Sequence, residues 1–136
     1  MRIASGHRKD AQVVLYTGDC LKLLSKKPDG CAKLVVTSPP YNLSKAYEKK
    51  ISLEQYIDSQ AAVIDECVRI LHPKGSICWQ VRNYVNNGTI LPLDIALYPL
   101  FGKHGLHYRN RIIWRFGHGL VLALDDAARD RQPRVA

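Results

Sequence analysis

The chain has 136 residues, room for one ordinary domain, and 46% of them are hydrophobic, enough to build a core. The net charge of +8 suits a phosphate-rich partner through counterion release, and it equally suits plain solubility, so charge alone does not choose between the two. No apolar run approaches the roughly 20 residues that span a bilayer, and the opening "MRIASGHRKD" lacks the apolar stretch of a secretory signal; no membrane partner and a cytoplasmic location are therefore expected.

The elements follow one another plainly. Val13 to Thr17, "VVLYT", is β-branched and aromatic and predicts a strand that Gly18 ends. Asp19 then caps a short helix beginning "CLKLL", and "KPDG" at Lys27 to Gly30 is a turn by its proline, aspartate and glycine chemistry. "KLVVTS" is the next strand; it is apolar without alternation, as a parallel strand covered on both faces should be. Ser52 with Gln55 three residues on forms a capping box. It opens a helix whose core-facing stripe is Leu53, Ile57, Ala61, Ile64, Val68 and Leu71.

His72-Pro73-Lys74-Gly75 should end that helix, with the glycine in a left-handed turn. "SICWQV" alternates Ile77, Trp79 and Val81 and predicts a strand. "NNGT" at Asn86 to Thr89 reads as a loop opening a third helix, with Ile90, Leu93, Leu97 and Phe101 as its apolar face and Pro99 as a kink or stop. "LHYRNRIIWRF" alternates again, Leu106, Tyr108, Ile112, Trp114 and Phe116 opposing His107, Arg109, Arg111 and Arg115, and predicts a half-buried strand with a basic face. The order β-α-β-α-β-α-β predicts an α/β fold, three layers around a mostly parallel sheet. Residues 125–136 are charged, lack periodicity and read as a loose or aberrant tail.

Metal chemistry finds little support. Cys20, Cys31, Cys67 and Cys78 form no C-x-x-C pair, and His104 and His107 are separated by Gly105, so both histidines read as loop or surface residues and no metal site is expected. Cys67 and Cys78 sit inside apolar patterns, where a reduced cysteine acts as a small hydrophobe.

The informative stretch is "LVVTSPPYN". In open α/β sheets ligands sit beyond the carboxyl ends of strands, and Ser38-Pro39-Pro40-Tyr41 occupies such a position. Each proline holds its predecessor extended and contributes no N–H, so the loop offers carbonyls and the Ser38 hydroxyl as acceptors, with Tyr41 as a flat face beside them. Acceptors next to an aromatic plate suit a planar ligand bearing an amino group. The competing reading is a plain strand-ending turn.

These residues resemble the catalytic motif of the DNA amino-methyltransferases, which methylate N4 of cytosine or N6 of adenine. The family reads Asp/Asn/Ser-Pro-Pro-Tyr/Phe where this chain has Ser38-Pro39-Pro40-Tyr41. "GDCLKLL" from Gly18, "LHPKGSICWQV" from Leu71 and "NRIIWRFGHGL" from Asn110 resemble further family segments in the right order, covering about residues 13–120. The resemblance implies a partial S-adenosylmethionine-dependent, Rossmann-like methyltransferase fold, with residues 1–124 as the catalytic segment.

It further implies a target base flipped from double-stranded DNA. Tyr41 would stack on it while Ser38 and the Pro39 carbonyl accept from its amino group, and S-adenosylmethionine would supply the methyl. Asp19 and Thr37 are expected near that cofactor, and Asn42, Arg109, Arg111 and Arg115 on the nucleic acid. Serine at the first motif position leans towards cytosine, although "TSPPYN" starts also occur with adenine specificity, and the base stays open.

Two features depart from the family. The glycine-rich cofactor loop belongs near the C-terminus in this motif order; "FGHGLVLALDD" from Phe116 is the one candidate, and it fits better as the entry to target recognition. The chain is accordingly expected to be a truncated catalytic portion, with an uncovered sheet edge that favours self-association. The alternatives are an inactive fragment retaining basic nucleic-acid binding, or a related amino-methyltransferase acting on RNA or a protein glutamine.

Overall fold

The computed structural model describes residues 3–5, 8, 10–42, 51–86 and 88–114. Its elements are β1 (Ile3–Ala4), β2 (Val13–Val14), α1 (Cys20–Leu24), β3 (Ala32–Thr37), α2 (Leu53–Ile70), β4 (Leu71–Trp79), β5 (Asn83–Asn86), β6 (Thr89–Pro92) and α3 (Leu93–Gly102). The molecule is mixed α/β with parallel strand pairs, as expected. β1 pairs with β2 and β3 with β4 in parallel, while β5 and β6 form an antiparallel hairpin. The single continuous sheet foreseen from the element order is replaced, among the described residues, by these three two-stranded ladders.

The capping box forms as expected. Ser52 Oγ accepts from the Gln55 N–H at 3.1 Å and the Gln55 side chain accepts from the Ser52 N–H at 3.2 Å, fixing where α2 begins. Its buried face is Tyr56, Gln60, Ile64, Cys67 and Ile70, rotated from the expected stripe; Leu53, Ile57, Ala61 and Val68 are half-buried. Contacts with α1 and α3 bury more of the helix than one stripe, so a tyrosine and a glutamine enter where the apolar pattern was interrupted.

α2 ends at Ile70 and passes without a loop into β4, since Leu71 is already extended. The "HPKG" stretch expected as a stop is a bulge. Leu71 pairs with Ala32 and Ser76 with Leu34, so β4 carries extra residues between the two pairs. Gly75 is not left-handed. It is there for space, because a Cβ would lie 2.9 Å from the His72 carbonyl oxygen. The "KPDG" turn is held by Arg69, whose guanidinium donates to the Leu24 and Lys27 carbonyls at 2.8 and 2.9 Å and to Glu66, and which also pairs with Asp29.

The "NNGT" stretch closes the β5–β6 hairpin instead of opening a helix; Gly88 takes a φ of 78° there, which a side chain would disfavour. Ile90 therefore lies on a strand, and α3 starts at Leu93, absorbing Pro99 without ending. The expected strand over residues 106–116 does not form through Trp114; Arg115 and Phe116 lie outside the described residues. Ile112 is 88% exposed, and Ile113 and Trp114 are exposed beside it. Alternation supplies the pattern of a strand, but a strand exists only with a ladder partner.

The core sits between α2, the hairpin and α3, where Tyr56, Tyr84, Leu93 and Leu97 are buried together. Ile51, Trp79 and Val81 pack against this cluster, so the start of α2 and the end of β4 rest on the same base. On β3, Leu34 and Val36 are 59% and 70% exposed, and Cys78, expected to be buried, is exposed on β4. Among the described residues that face of the ladder is left exposed.

Candidate active site

β3 delivers the chain to the motif at a fixed point. Thr37 pairs with Trp79 across the ladder, and the Thr37 carbonyl accepts from the Gln80 N–H at 2.9 Å, carrying the pairing one step past β4. Ser38 to Tyr41 then leave the strand end as a loop without regular structure, since neither proline can donate to a ladder. Beside this point the Trp79 ring packs edge-on against Phe101, with centroids 5.7 Å apart. Its buried Nε1–H has no partner among the described residues.

Ser38, Pro39, Pro40 and Tyr41 line one open concavity of about 300 Å³. The four residues singled out in the sequence are thus brought together at the carboxyl end of a parallel strand. Within the concavity the Ser38 and Tyr41 hydroxyls share a hydrogen bond of 2.5 Å in which either oxygen can donate. With Tyr41 as donor, Ser38 keeps a lone pair and its own proton. The bond also fixes the Tyr41 ring relative to the loop. The sequence showed both side chains and not this bond between them.

The remaining expected residues fall in different places. Asp19 is the N-cap of α1, its Oδ1 accepting from the Leu21 N–H at 2.9 Å, so that oxygen serves the five-residue helix and not a ligand. Thr37 contributes its carbonyl to the ladder, as described. Asn42, expected on nucleic acid, is 3% exposed and hydrogen bonded to Ile51; it faces inward, and a surface contact is replaced by a brace.

Arg109 and Arg111 are exposed on the segment after α3. The Arg111 Nε donates to Asp94 Oδ2 at 2.6 Å, and Tyr98 meets Tyr108 edge-on at 5.5 Å, tying that segment to α3. Arg115 lies outside the described residues. Among the described residues no group of three or more His, Cys, Asp or Glu is assembled. His104 pairs instead with Asp65 at 2.8 Å, alongside Lys103 at 2.7 Å.

Comparison with known proteins decides the family. The sequence profile of the N6/N4 class described as DNA methylase matches residues 32–129, well over half of the chain. The chain belongs to this DNA methylase family. Over 107 residues it is 47% identical to the type II methyltransferase M.BglII of Bacillus subtilis, covering 78% of this chain and 30% of that relative. Over 114 residues it is 34% identical to the type II methyltransferase M.ScaI of Streptomyces caespitosus, covering 82% of this chain and 36% of that one.

The chain thus spans about a third of the length of these curated relatives. Among solved structures, the PvuII DNA methyltransferase (cytosine-N4-specific) superposes with a TM-score of 0.57 at 22% identity, over 75% of this chain and 35% of that one. The shared fold is that of a methyltransferase, in keeping with the partial Rossmann-like architecture that the family resemblance implies. Among the described residues no helix is long and apolar enough to cross a membrane.

Proposed function

We propose that this chain carries the base-recognising part of a DNA methyltransferase that methylates the exocyclic amino group of cytosine (N4) or adenine (N6) in double-stranded DNA. The observation that carries the reading is the concavity lined by Ser38, Pro39, Pro40 and Tyr41 at the carboxyl end of β3. An amino nitrogen inside a duplex is stacked and paired, so the base is extruded before it reaches such a pocket. Tyr41 stacks on the extruded base. The Ser38 oxygen and the Pro39 carbonyl accept from the amino group, which orients the base and leaves its nitrogen lone pair directed at an incoming methyl.

The proline backbone matters here through what it lacks. With no N–H at positions 39 and 40, no backbone donor there competes with the amino group for these acceptors. Arg109 and Arg111 supply phosphate contacts on this reading, and Arg115 joins them in the sequence. Arg111 has already committed its Nε to Asp94, so its terminal nitrogens are the ones left for a phosphate.

The methyl donor general to the family is S-adenosylmethionine, which supplies an electrophilic methyl. Asp19 already commits one carboxylate oxygen to the α1 cap and Thr37 its backbone carbonyl to the β3–β4 pairing, and neither is assigned a part in holding it here. The roles assigned here therefore concern the acceptor side of the reaction alone. As a protein acting on genomic DNA, its place is the cytoplasm.

The test is product analysis. The chain is incubated with S-adenosylmethionine and unmethylated plasmid DNA, the DNA is digested to nucleosides, and these are separated by mass. N4-methyldeoxycytidine or N6-methyldeoxyadenosine is the expected product. Methylation at C5 of cytosine overturns the proposal. No methylated nucleoside at all overturns activity of this chain by itself, and failure to bind a 2-aminopurine oligonucleotide then overturns its base-recognising role.

A further inference from the structure

Asn42 follows Tyr41 directly, and three features set it apart. It is 3% exposed. Its carboxamide pairs twice with one residue: Nδ2 donates to the Ile51 carbonyl at 2.8 Å, and Oδ1 accepts from the Ile51 N–H at 2.8 Å. Among the described residues it is also the non-glycine residue with a positive φ, 60°. Most L-residues avoid that conformation, and asparagine is among the few that enter it readily.

The paired bonds have the pattern of a ladder contact, with a side-chain amide standing in for a peptide unit. The partner is well chosen for rigidity. Ile51 precedes Ser52, the N-cap held by the capping box, and packs against the buried Tyr56–Tyr84–Leu93–Leu97 cluster. At the other end of the motif Thr37 is fixed to Trp79 and Gln80. Ser38 to Tyr41 are therefore clamped on both sides: by β4 before them and, through Asn42, by the start of α2 after them. The left-handed turn at Asn42 sets the direction in which the chain leaves Tyr41, and with it the placement of the ring.

We infer that Asn42 is the positioning residue of this site: it holds Tyr41 and Ser38 in the geometry that receives an aminated base, and it touches no substrate itself. This inference rests on the pocket being the base site. Neither the acceptor pattern nor any metal or cofactor chemistry requires an asparagine here; the double pairing and the backbone conformation do. Glycine would permit the turn and lose both bonds. Alanine would lose both bonds and strain the turn.

The experiment uses the full chain with 3-fluorotyrosine in place of Tyr41, and a control with the label at Tyr98 on α3. Wild type, Asn42→Gly and Asn42→Ala are compared by fluorine NMR, by amide exchange at Ile51, and by titration with an oligonucleotide carrying 2-aminopurine. In Asn42→Gly the Tyr41 label should broaden or split while the Tyr98 label stays as in wild type. Exchange at the Ile51 amide should rise at least tenfold, and affinity for the oligonucleotide should fall about tenfold, the scale of two lost hydrogen bonds.

If Asn42→Ala does not fold, Asn42→Gly decides alone. An unchanged Tyr41 signal in Asn42→Gly overturns the inference even where melting shifts, since that outcome leaves Asn42 a stability residue only. The base-site reading fails separately, if wild type itself does not bind the 2-aminopurine strand. The fluorine signal still decides the positioning of Tyr41.

Discussion

On the proposed reading Tyr41 makes two separable contributions, and its substitutions should divide them. Replacing it by alanine removes the whole plate. Base–aromatic stacking is worth about 1–3 kcal/mol per base, so Tyr41→Ala should weaken binding of a 2-aminopurine oligonucleotide by about 5- to 150-fold, at 1.4 kcal/mol per tenfold. Tyr41→Phe keeps the ring and removes only the hydroxyl that meets Ser38 at 2.5 Å. A neutral hydrogen bond contributes about 0.5–1.5 kcal/mol net, so this variant should lose only about 2- to 12-fold.

Ser38→Ala breaks the same bond from its other end. In binding, the double variant Ser38→Ala/Tyr41→Phe should fall no further than the worse single one, because each change removes one shared interaction. Methyl transfer should separate them. In the intact enzyme Ser38→Ala should reduce turnover more than binding, if Ser38 also accepts from the amino group as proposed. Fluorescence titration with the 2-aminopurine strand and transfer of labelled methyl give the two readouts. Equal losses for Tyr41→Phe and Tyr41→Ala would refute the stacking role, and full additivity in the double variant would refute the shared bond.

Three further outcomes follow from the packing and the charges. Leu97 is 1% exposed within the cluster under the site. Leu97→Ala should cost about 2–5 kcal/mol in urea unfolding, and a loss below about 1 kcal/mol would mean that this cluster is not the core. Burial pushes the Cys67 thiol up to about 11, while Cys20, Cys31 and Cys78 are exposed. A disulfide reagent at pH 8 should titrate those exposed thiols quickly and Cys67 only on unfolding, because about a thousandth of Cys67 is thiolate there.

Hydrogen bonds from Lys103 and then His104 hold the Asp65 carboxyl below its ordinary 3.8. A lowered carboxyl stabilises the fold above its unfolded value and loses that contribution as pH falls through the folded one. The melting difference between wild type and Asp65→Asn should therefore be present at neutral pH and close below about pH 4. It should amount to a few tenths of a kcal/mol, since both partners are solvent-screened. A difference that widens on acidification would reverse the assignment.

Local chemistry was legible in the sequence wherever it was self-contained. The capping box at Ser52 and Gln55, the N-cap at Asp19, the "KPDG" turn and the strand leading into the motif all depend on residues a few positions apart. The same holds for the motif itself. Two prolines after an apolar run dictate a donor-free loop at a strand end whatever surrounds it, and the four residues that line the concavity were the four named.

Other features needed the tertiary structure, because their causes lie far apart in the chain. Pairing decided that 86–89 turns a hairpin and that 106–114 remains without a ladder, although alternation was present in the second and absent from the first. Space decided Gly75, whose missing Cβ makes room for the His72 carbonyl in a bulge. Asn42 is the sharpest case. Read along the chain, it is one more polar residue after a motif, suited to touching DNA. Its partner is Ile51, nine positions away, and its left-handed backbone is seen only in the folded chain. Sequence by itself determined that Ser38 to Tyr41 form a donor-poor loop at a strand end; the long-range pairing at Asn42, with the Thr37 ladder opposite it, decided where that loop is tied.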